Sequence, residues 1–141
     1  MNDMAVIDGT GAVMGRLASH IAKRLMQGEE IHVVNCEHII ISGNKKMILD
    51  EFTTMREIGS KRKGPHYPKM PHRIFKRTVR GMVKYQQPSG RAALKRLMVH
   101  IGTPSQLAEE NTEVIETAKP KGTGNYVALG DLSRSLGANV R

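Results

Sequence analysis

The side chains of this chain best suited to chemistry are lysines and arginines concentrated in its middle. Residues 56–96 hold 13 Lys and Arg against one acid, for a net charge of +12, while residues 1–55 and 97–141 are each slightly acidic. Guanidinium groups bind phosphate oxygens as two-pronged donors, and lysines add point charges. Because so dense a positive charge repels itself, we expect a polyanionic partner, nucleic acid above all. A basic surface that only increases solubility is the alternative.

Three segments carry these cations. Residues 61–69 contain two prolines and lack apolar periodicity, which predicts an extended basic loop. Pro71 suits the first turn of a helix that runs to about Met82, and Ser89 is placed to cap a further helix that runs to about Arg96. The candidate contacts are Lys61, Arg62, Lys63, His66, Tyr67 and Lys69 in the loop, Arg73, Lys76, Arg77, Arg80 and Lys84 along the first helix, and Arg91, Lys95 and Arg96 on the exposed side of the second.

Two tyrosines lie among these cations. Tyr67 falls in the basic loop and Tyr85 follows the first basic helix. Aromatic rings in basic surroundings stack on unpaired bases in many RNA-binding proteins. Simple packing explains either tyrosine equally well, so the sequence leaves both roles open.

The elements that must position this surface indicate an α/β fold. Two short apolar runs, residues 5–8 and 30–35, flank a helical pattern from Met14 to Leu25, which predicts a parallel βαβ unit. The basic helix is predicted to bury its other face, which carries Ile74, Phe75, Thr78, Val79 and Met82. Further predicted elements are strands at 38–42 and 97–101, a helix after Asn44, a short helix opening at Thr103 and running to about Glu110, a loop at 117–126 and a helical turn at 131–136.

A glycine-rich turn, Gly9–Gly15, offers the main enzymatic alternative. It joins a predicted strand to a helix, and Glu37 follows Gly15 by 22 residues, as in a dinucleotide-binding fingerprint. The spacing G-x-G-x-x-x-G is one residue longer than that fingerprint, and no GxxxxGK(S/T) phosphate loop occurs. A small nucleotide-dependent enzyme is therefore a weaker hypothesis than a structural turn. A general DNA- or chromatin-binding protein is a third hypothesis.

The rest of the sequence offers no catalytic constellation. The six histidines lack metal-ligand spacing, no serine lies in a GxSxG turn, and Cys36 has no basic neighbour to activate its thiol. We therefore expect no enzyme activity, catalytic residue, metal, cofactor or small-molecule substrate. The single cysteine favours a reducing, cytoplasmic compartment. Because no apolar run approaches the ~18 residues of a membrane span, we expect no membrane partner.

Several short motifs follow one another between residues 4 and 104. They are Asp8-Gly9 with Gly15-Arg16-Leu17-Ala18, then Ser42-Gly43-Asn44-Lys45, then Val79-Arg80-Gly81-Met82-Val83, and finally Gly90-Arg91 with Leu97-Met98-Val99. In this order and spacing they resemble the universal L-thirteen family of large-subunit ribosomal proteins, in its archaeal and eukaryotic cytosolic form.

The resemblance implies one domain over residues 1–141. Its family-like core, residues 4–104, would be a three-layer α/β/α fold around a four-stranded, mainly parallel sheet, with a basic loop and a short C-terminal extension at 105–141. The implied function is that of a structural constituent of the large ribosomal subunit in the cytoplasm. It would bind large-subunit ribosomal RNA, contact neighbouring large-subunit ribosomal proteins and support subunit assembly.

The same resemblance implies particular RNA contacts. The resemblance adds Lys45 to the candidate contacts. It also implies that the loop at 61–69 passes between RNA helices. At matching positions it also implies contacts from residues already proposed on charge, namely Arg80, Lys84, Arg91, Lys95 and Arg96.

Overall fold

A computed structural model of the chain describes residues 4–57, 68–107, 111–120 and 124–138. The strands are β1 (Met4–Asp8), β2 (Glu30–Val34), β3 (Ile40–Ser42), β4 (Leu97–Val99), β5 (Thr112–Glu113) and β6 (Tyr126–Ala128). The α-helices are α1 (Met14–Met26), α2 (Lys45–Glu57), α3 (Pro71–Met82), α4 (Pro88–Lys95) and α5 (Leu129–Ser135), and 3-10 turns occupy Cys36–His38 and Glu116–Ala118. None of the helices in these ranges is both long enough and apolar enough to span a bilayer.

Four parallel strands form the main sheet, in the order β4-β2-β1-β5. β1 and β2 pair along their whole length, from Met4 with Glu30 to Asp8 with Val34, and α1 connects them as predicted. Gly28, with a φ of 100°, turns the chain between α1 and β2 in a conformation that a side chain would strain. The predicted α/β class and the four-stranded parallel sheet are confirmed.

One face of this sheet carries the main hydrophobic core. Ile7, Ile31 and Leu97 are fully buried on that face. The helices α1 and α3 bury apolar stripes in the same core, because their apolar residues recur at helical spacing. These stripes are Leu17, Ala18, Ile21, Ala22 and Leu25 in α1, and Ile74, Phe75 and Val79 in α3. On the opposite face of the sheet, Val6 and Val34 form a smaller apolar cluster with Leu107.

The identity of the strands differs from the prediction in two places. The third predicted strand, residues 38–42, is a strand only at Ile40–Ser42, and it pairs antiparallel with β6 in a separate two-stranded sheet. The fourth strand of the main sheet is β5, which lies at the edge beside β1 and which no sequence pattern predicted. Two exposed polar residues show no apolar alternation, so only the pairing of β5 with Val6 and Ile7 defines it as a strand.

The segment after β4 also departs from the prediction. The helix expected to open at Thr103 is a turn in residues 103–107, where the Leu107 N–H donates to the Pro104 carbonyl oxygen at 2.9 Å. Residues 117–126, predicted to be a loop, contain most of a 3-10 turn and the first residue of β6. The two turns close through hydrogen bonds between residues three apart, whereas β6 is a strand because it pairs with the distant β3.

The N-terminus of α4 differs from the predicted cap at Ser89, and its packing explains why residue 90 is a glycine. α4 begins at Pro88 with Gln87 at the N-cap position, so Ser89 lies inside the first turn instead of capping it. Gly90 is buried, and a Cβ atom at this position would collide with the carbonyl group of Lys84. Only glycine therefore lets α4 pack directly on the backbone that leads out of α3.

Replacing Gly90 with alanine is expected to lower the free energy of unfolding by about 1–3 kcal/mol, as overpacking of a tight contact does. Urea denaturation followed by circular dichroism measures this loss. Ser89→Ala in the same helical turn is the matched control, and it should remain within about 0.5 kcal/mol of the unsubstituted protein. A Gly90→Ala variant of unchanged stability would contradict the close packing of α4.

Candidate nucleic-acid interface

Helix α3 displays its cations on one side because its other side is buried. Ile74, Phe75 and Val79 have no more than trace exposure, and Pro71 starts the helix as predicted. Met82, which was predicted to lie on the buried face, is instead 44% exposed, and α3 ends at this residue. The buried face fixes how α3 is rotated about its own axis. The cations of α3, which are Arg73, Lys76, Arg77 and Arg80, therefore face away from the core.

A groove of about 320 Å³ lies between α3 and α4. Its lining residues are Pro68, Arg73, Lys76, Arg77, Arg80 and Leu94. None of these lining residues is acidic, so the groove is positive over its described length. The structure thus brings four of the predicted contacts together on one surface, beside the apolar side chains of Pro68 and Leu94.

At the C-terminal end of α3, Arg80 stacks on an aromatic ring. The central guanidinium carbon of Arg80 lies 4.2 Å from the centroid of the Tyr85 ring. Tyr85 is half-buried and packs against the main core. Cation–π contacts of this kind contribute about 0.5–1 kcal/mol at exposed sites, so the ring holds the guanidinium in a fixed orientation. Tyr85 therefore has a packing role and also forms part of the basic surface.

Two of the predicted contacts point their charged groups at carbonyl oxygens of the protein itself. The Nζ of Lys76 donates to the carbonyl oxygen of Leu97 at 3.2 Å, and the Nη2 of Arg96 donates to that of Leu25 at 2.6 Å. Arg96 was predicted to lie on an exposed side, but it is half-buried, and its Nε is buried with no hydrogen-bond partner among the described residues. Because Leu25 lies in the last turn of α1, the Arg96 cation also interacts favourably with the helix dipole.

The other described candidates are exposed. Lys69, Lys84, Arg91 and Lys95 lie on the surface of the segment that contains α3 and α4. Lys45 is exposed at the start of α2 and lines a different cleft, together with Asn44, Asn125 and Tyr126. The sequence did not identify Asn125 and Tyr126 as neighbours of Lys45, because it gave no signal for the pairing of β3 with β6.

The remaining candidates fall in the predicted basic loop. Lys61, Arg62, Lys63, His66 and Tyr67 lie outside the described residues. Their contacts with a nucleic acid stay predictions from sequence.

The backbone N–H groups of residues 9–13, the first part of the glycine-rich turn, are all used within the protein. The Thr10 N–H donates to a carboxylate oxygen of Asp8 at 3.0 Å. The other N–H groups of residues 9–13 donate to backbone carbonyl oxygens, those of Val34, His38, Gly9 and Ala118. Burial alone raises the pKa of Asp8, but hydrogen bonds from Thr10 and Asn35 outweigh it and lower this pKa below its ordinary value. The anionic carboxylate of Asp8 and the occupied N–H groups of residues 9–13 argue against phosphate binding at this part of the turn.

Cys36 lies fully buried in the core, as expected for a packing residue. Burial, with a smaller effect of the Glu37 charge, raises the pKa of its thiol to about 12. The thiol therefore stays protonated at neutral pH and is a poor nucleophile. Within the described ranges, no three His, Cys, Asp or Glu side chains are grouped in a way that could hold a metal ion.

A pair of histidines links β2 to the end of β4. The His32 and His100 rings stack with centroids 5.4 Å apart, and His32 Nδ1 lies 3.1 Å from His100 Nε2. Burial, and then the charge on His32, lower the pKa of His100. Burial, followed by Arg73, His100 and Lys76, lowers the pKa of His72 at the start of α3. His72 and His100 are therefore neutral at pH 7 and add nothing to the positive charge of the groove.

Comparison with known proteins gives a consistent result over almost the whole chain. Residues 2–106 match the family model described as ribosomal protein L13. The chain is 47% identical over 139 residues to the large ribosomal subunit protein uL13 of Archaeoglobus fulgidus, covering 96% of this chain and 89% of that protein. It is 45% identical over 139 residues to the uL13 of Methanosphaera stadtmanae, covering 96% and 98% of the two chains. The uL13 of Methanococcoides burtonii is 42% identical over 137 residues, covering 96% and 99%.

Arg96→Met is expected to lower the free energy of unfolding by about 1–3 kcal/mol, because it removes a charge-assisted hydrogen bond at the end of α1. Arg91→Met, on the exposed side of α4, removes the same charge and should change stability by less than about 0.5 kcal/mol. Urea denaturation of the two variants checks this difference. Equal stabilities would contradict a structural role for Arg96.

Stability is also expected to fall as the pH falls below about 6.5. Because the pKa values of His72 and His100 are lowered by folding, the unfolded chain binds more protons than the folded one in this range. Urea denaturation at about pH 7.5 and about pH 5.5 measures the effect, and His100→Gln should reduce it. A His100→Gln variant with the full pH dependence would exclude His100 as a source of the effect.

Proposed function

This chain belongs to the ribosomal protein L13 family, and we propose that it binds large-subunit ribosomal RNA and supports assembly of the large subunit. Family membership gives it a structural role in the ribosome, so it is a structural protein rather than an enzyme. The observation that carries the RNA-binding proposal is the groove between α3 and α4. Arginines and a lysine line this groove without an acid among its described lining residues, in a segment of net charge +12.

The proposed mechanism is the replacement of counterions by protein cations held at fixed positions. Each phosphate that a lysine or arginine neutralises releases counterions from the RNA, which favours binding and makes it salt-dependent. The buried face of α3 supplies the fixed positions, because it holds the helix against the core while Arg73, Arg77 and Arg80 face the groove. Fixed cations suit folded RNA, whose recognition depends on the shape of its phosphate backbone.

We assign the contacts to four parts of the chain. They are the basic loop at 61–69, the groove side of α3 with Lys84, the exposed side of α4, and Lys45 at the start of α2. Lys76 and Arg96 contribute positive charge, but the hydrogen bonds to Leu97 and Leu25 restrict their geometry toward RNA. We place the protein in the large subunit of the cytoplasmic ribosome, as one domain that also contacts neighbouring ribosomal proteins.

Replacing Lys61, Arg62 and Lys63 together by alanine is expected to weaken binding to purified large-subunit ribosomal RNA. If each contacts a phosphate, the slope of log K against log salt should become shallower by about 2–3, measured by filter binding between about 50 and 200 mM salt. The matched control replaces Lys23, Lys119 and Arg134, which are exposed and lie outside residues 56–96. This control removes the same charge and should leave the slope close to its original value.

Three outcomes would contradict parts of the proposal. An unchanged slope in the loop variant would remove the loop from the interface. Equal affinity for duplex DNA and for large-subunit ribosomal RNA at one salt concentration would favour a general nucleic-acid-binding protein. Recovery of the native protein at the top of a sucrose gradient, apart from large subunits, would overturn the proposed location.

A further inference from the structure

The C-terminal end of α3 contains a small cleft beside the groove. Its lining residues are Arg77, Arg80, Gly81 and Tyr85, and its volume is about 170 Å³. Gly81 is exposed within the helix, and a Cβ atom added to it would have no atom of the described residues within 4 Å. The backbone of Gly81 therefore forms part of the cleft wall, with open space in front of it.

Neither conformation nor packing requires a glycine at position 81. Its φ lies in the helical range, and the described structure has room for a larger side chain. Gly90 is the opposite case, since a side chain there would collide with Lys84. Glycine weakens a helix relative to alanine. A helical glycine with open space in front of it is suited to the close approach of a ligand.

The side chains around Gly81 match one kind of ligand. Arg80 stacks on Tyr85 at 4.2 Å, so a guanidinium plane and an aromatic ring lie together at the cleft. Such planes stack on the faces of nucleobases. Arg77, one helical turn before Arg80, lines the same cleft with a group that binds phosphate oxygens as a fork. Inside a duplex both faces of each base are covered by its neighbours, so away from a duplex end only an unpaired base could use this arrangement.

We propose that this cleft binds a single unpaired nucleotide of the RNA. The base stacks on the Arg80–Tyr85 pair, its phosphate binds Arg77, and the bare backbone of Gly81 makes room for the nucleotide. The inference rests on the proposed function, because the cleft belongs to the same RNA-binding surface. It adds recognition of an unpaired base to a surface that otherwise binds phosphates of folded RNA.

The test fills the cleft without changing the charge of the protein. Gly81→Leu places a good helix former in the open space, so the melting temperature should equal or exceed that of the unsubstituted protein. Affinity is measured for a short single-stranded oligouridylate and for a blunt RNA duplex of the same length. We expect about five- to a hundredfold weaker binding of the single strand, the range expected for losing one stacked base. Binding of the duplex and its salt slope should stay unchanged, while the slope for the single strand should become shallower by about 0.7, the loss of one phosphate contact at Arg77.

Two further variants serve as the control and as a replacement. Gly15→Leu is the matched control, because Gly15 is also an exposed helical glycine with open space around it in the described structure and does not line the cleft. It should bind both RNAs as the unsubstituted protein does. If Gly81→Leu lowers the melting temperature, Gly81→Ala replaces it, with a smaller loss of single-strand binding expected.

The outcomes separate this inference from the proposed function. Unchanged binding of the single strand by a folded Gly81→Leu protein would overturn the nucleotide site, even if large-subunit ribosomal RNA still binds. Equal losses for single strand and duplex, with a shallower salt slope for both, would also overturn it and indicate a site for backbone phosphates only. If the unsubstituted protein fails to bind large-subunit ribosomal RNA, the proposed function itself fails.

Discussion

The burial of one face of α3 is the interaction on which the rest of the structure depends. The opposite face carries like charges at spacings of three and four residues, and each such pair destabilises a helix by a few tenths of a kcal/mol. Ile74, Phe75 and Val79 are buried at the same time, and a large apolar side chain contributes about 1.5–3 kcal/mol when fully buried. Packing therefore outweighs the repulsion several times over. The protein holds its cations in place before any polyanion is present, so binding does not also have to order the helix.

The basic segment combines two kinds of cation that charge alone does not distinguish. Lys76 and Arg96 donate hydrogen bonds to carbonyl oxygens of β4 and α1, so they connect α3 to the main sheet and the end of α4 to α1. Arg80 is positioned by the ring of Tyr85, and Tyr85 is in turn fixed by the close packing of α4 at Gly90. The structural cations and the tight glycine contact thus determine where the ligand-facing cations lie.

The sequence predicts the parts of this fold that follow a regular period, and it fails where an element is defined by its partner. The stripes of α1 and α3 repeat over several turns, so both helices and the basic surface opposite the α3 stripe could be predicted. The two residues of β5 show no period, and they are a strand only because β1 lies beside them. The same limit applies to single side chains. The sequence predicts the same exposed position for Arg91 and Arg96. Only the structure shows that Arg96 has a structural role, because its side chain lies beside the carbonyl oxygen of Leu25.

Glycines show most clearly why the ligand site could not be chosen from sequence. Gly9 lies in the turn that resembles a nucleotide-binding motif, yet a Cβ atom there would lie 2.7 Å from Ile39, and the N–H groups of residues 9–13 are all used internally. Gly90 is likewise required by packing. Gly81 lies outside the turn that resembles a nucleotide-binding motif, but it is the one of these three glycines with open space where its side chain would be. Because a motif records only spacing along the chain, it cannot report what surrounds the missing side chain, and a ligand at a glycine needs both open space there and suitable side chains around that space.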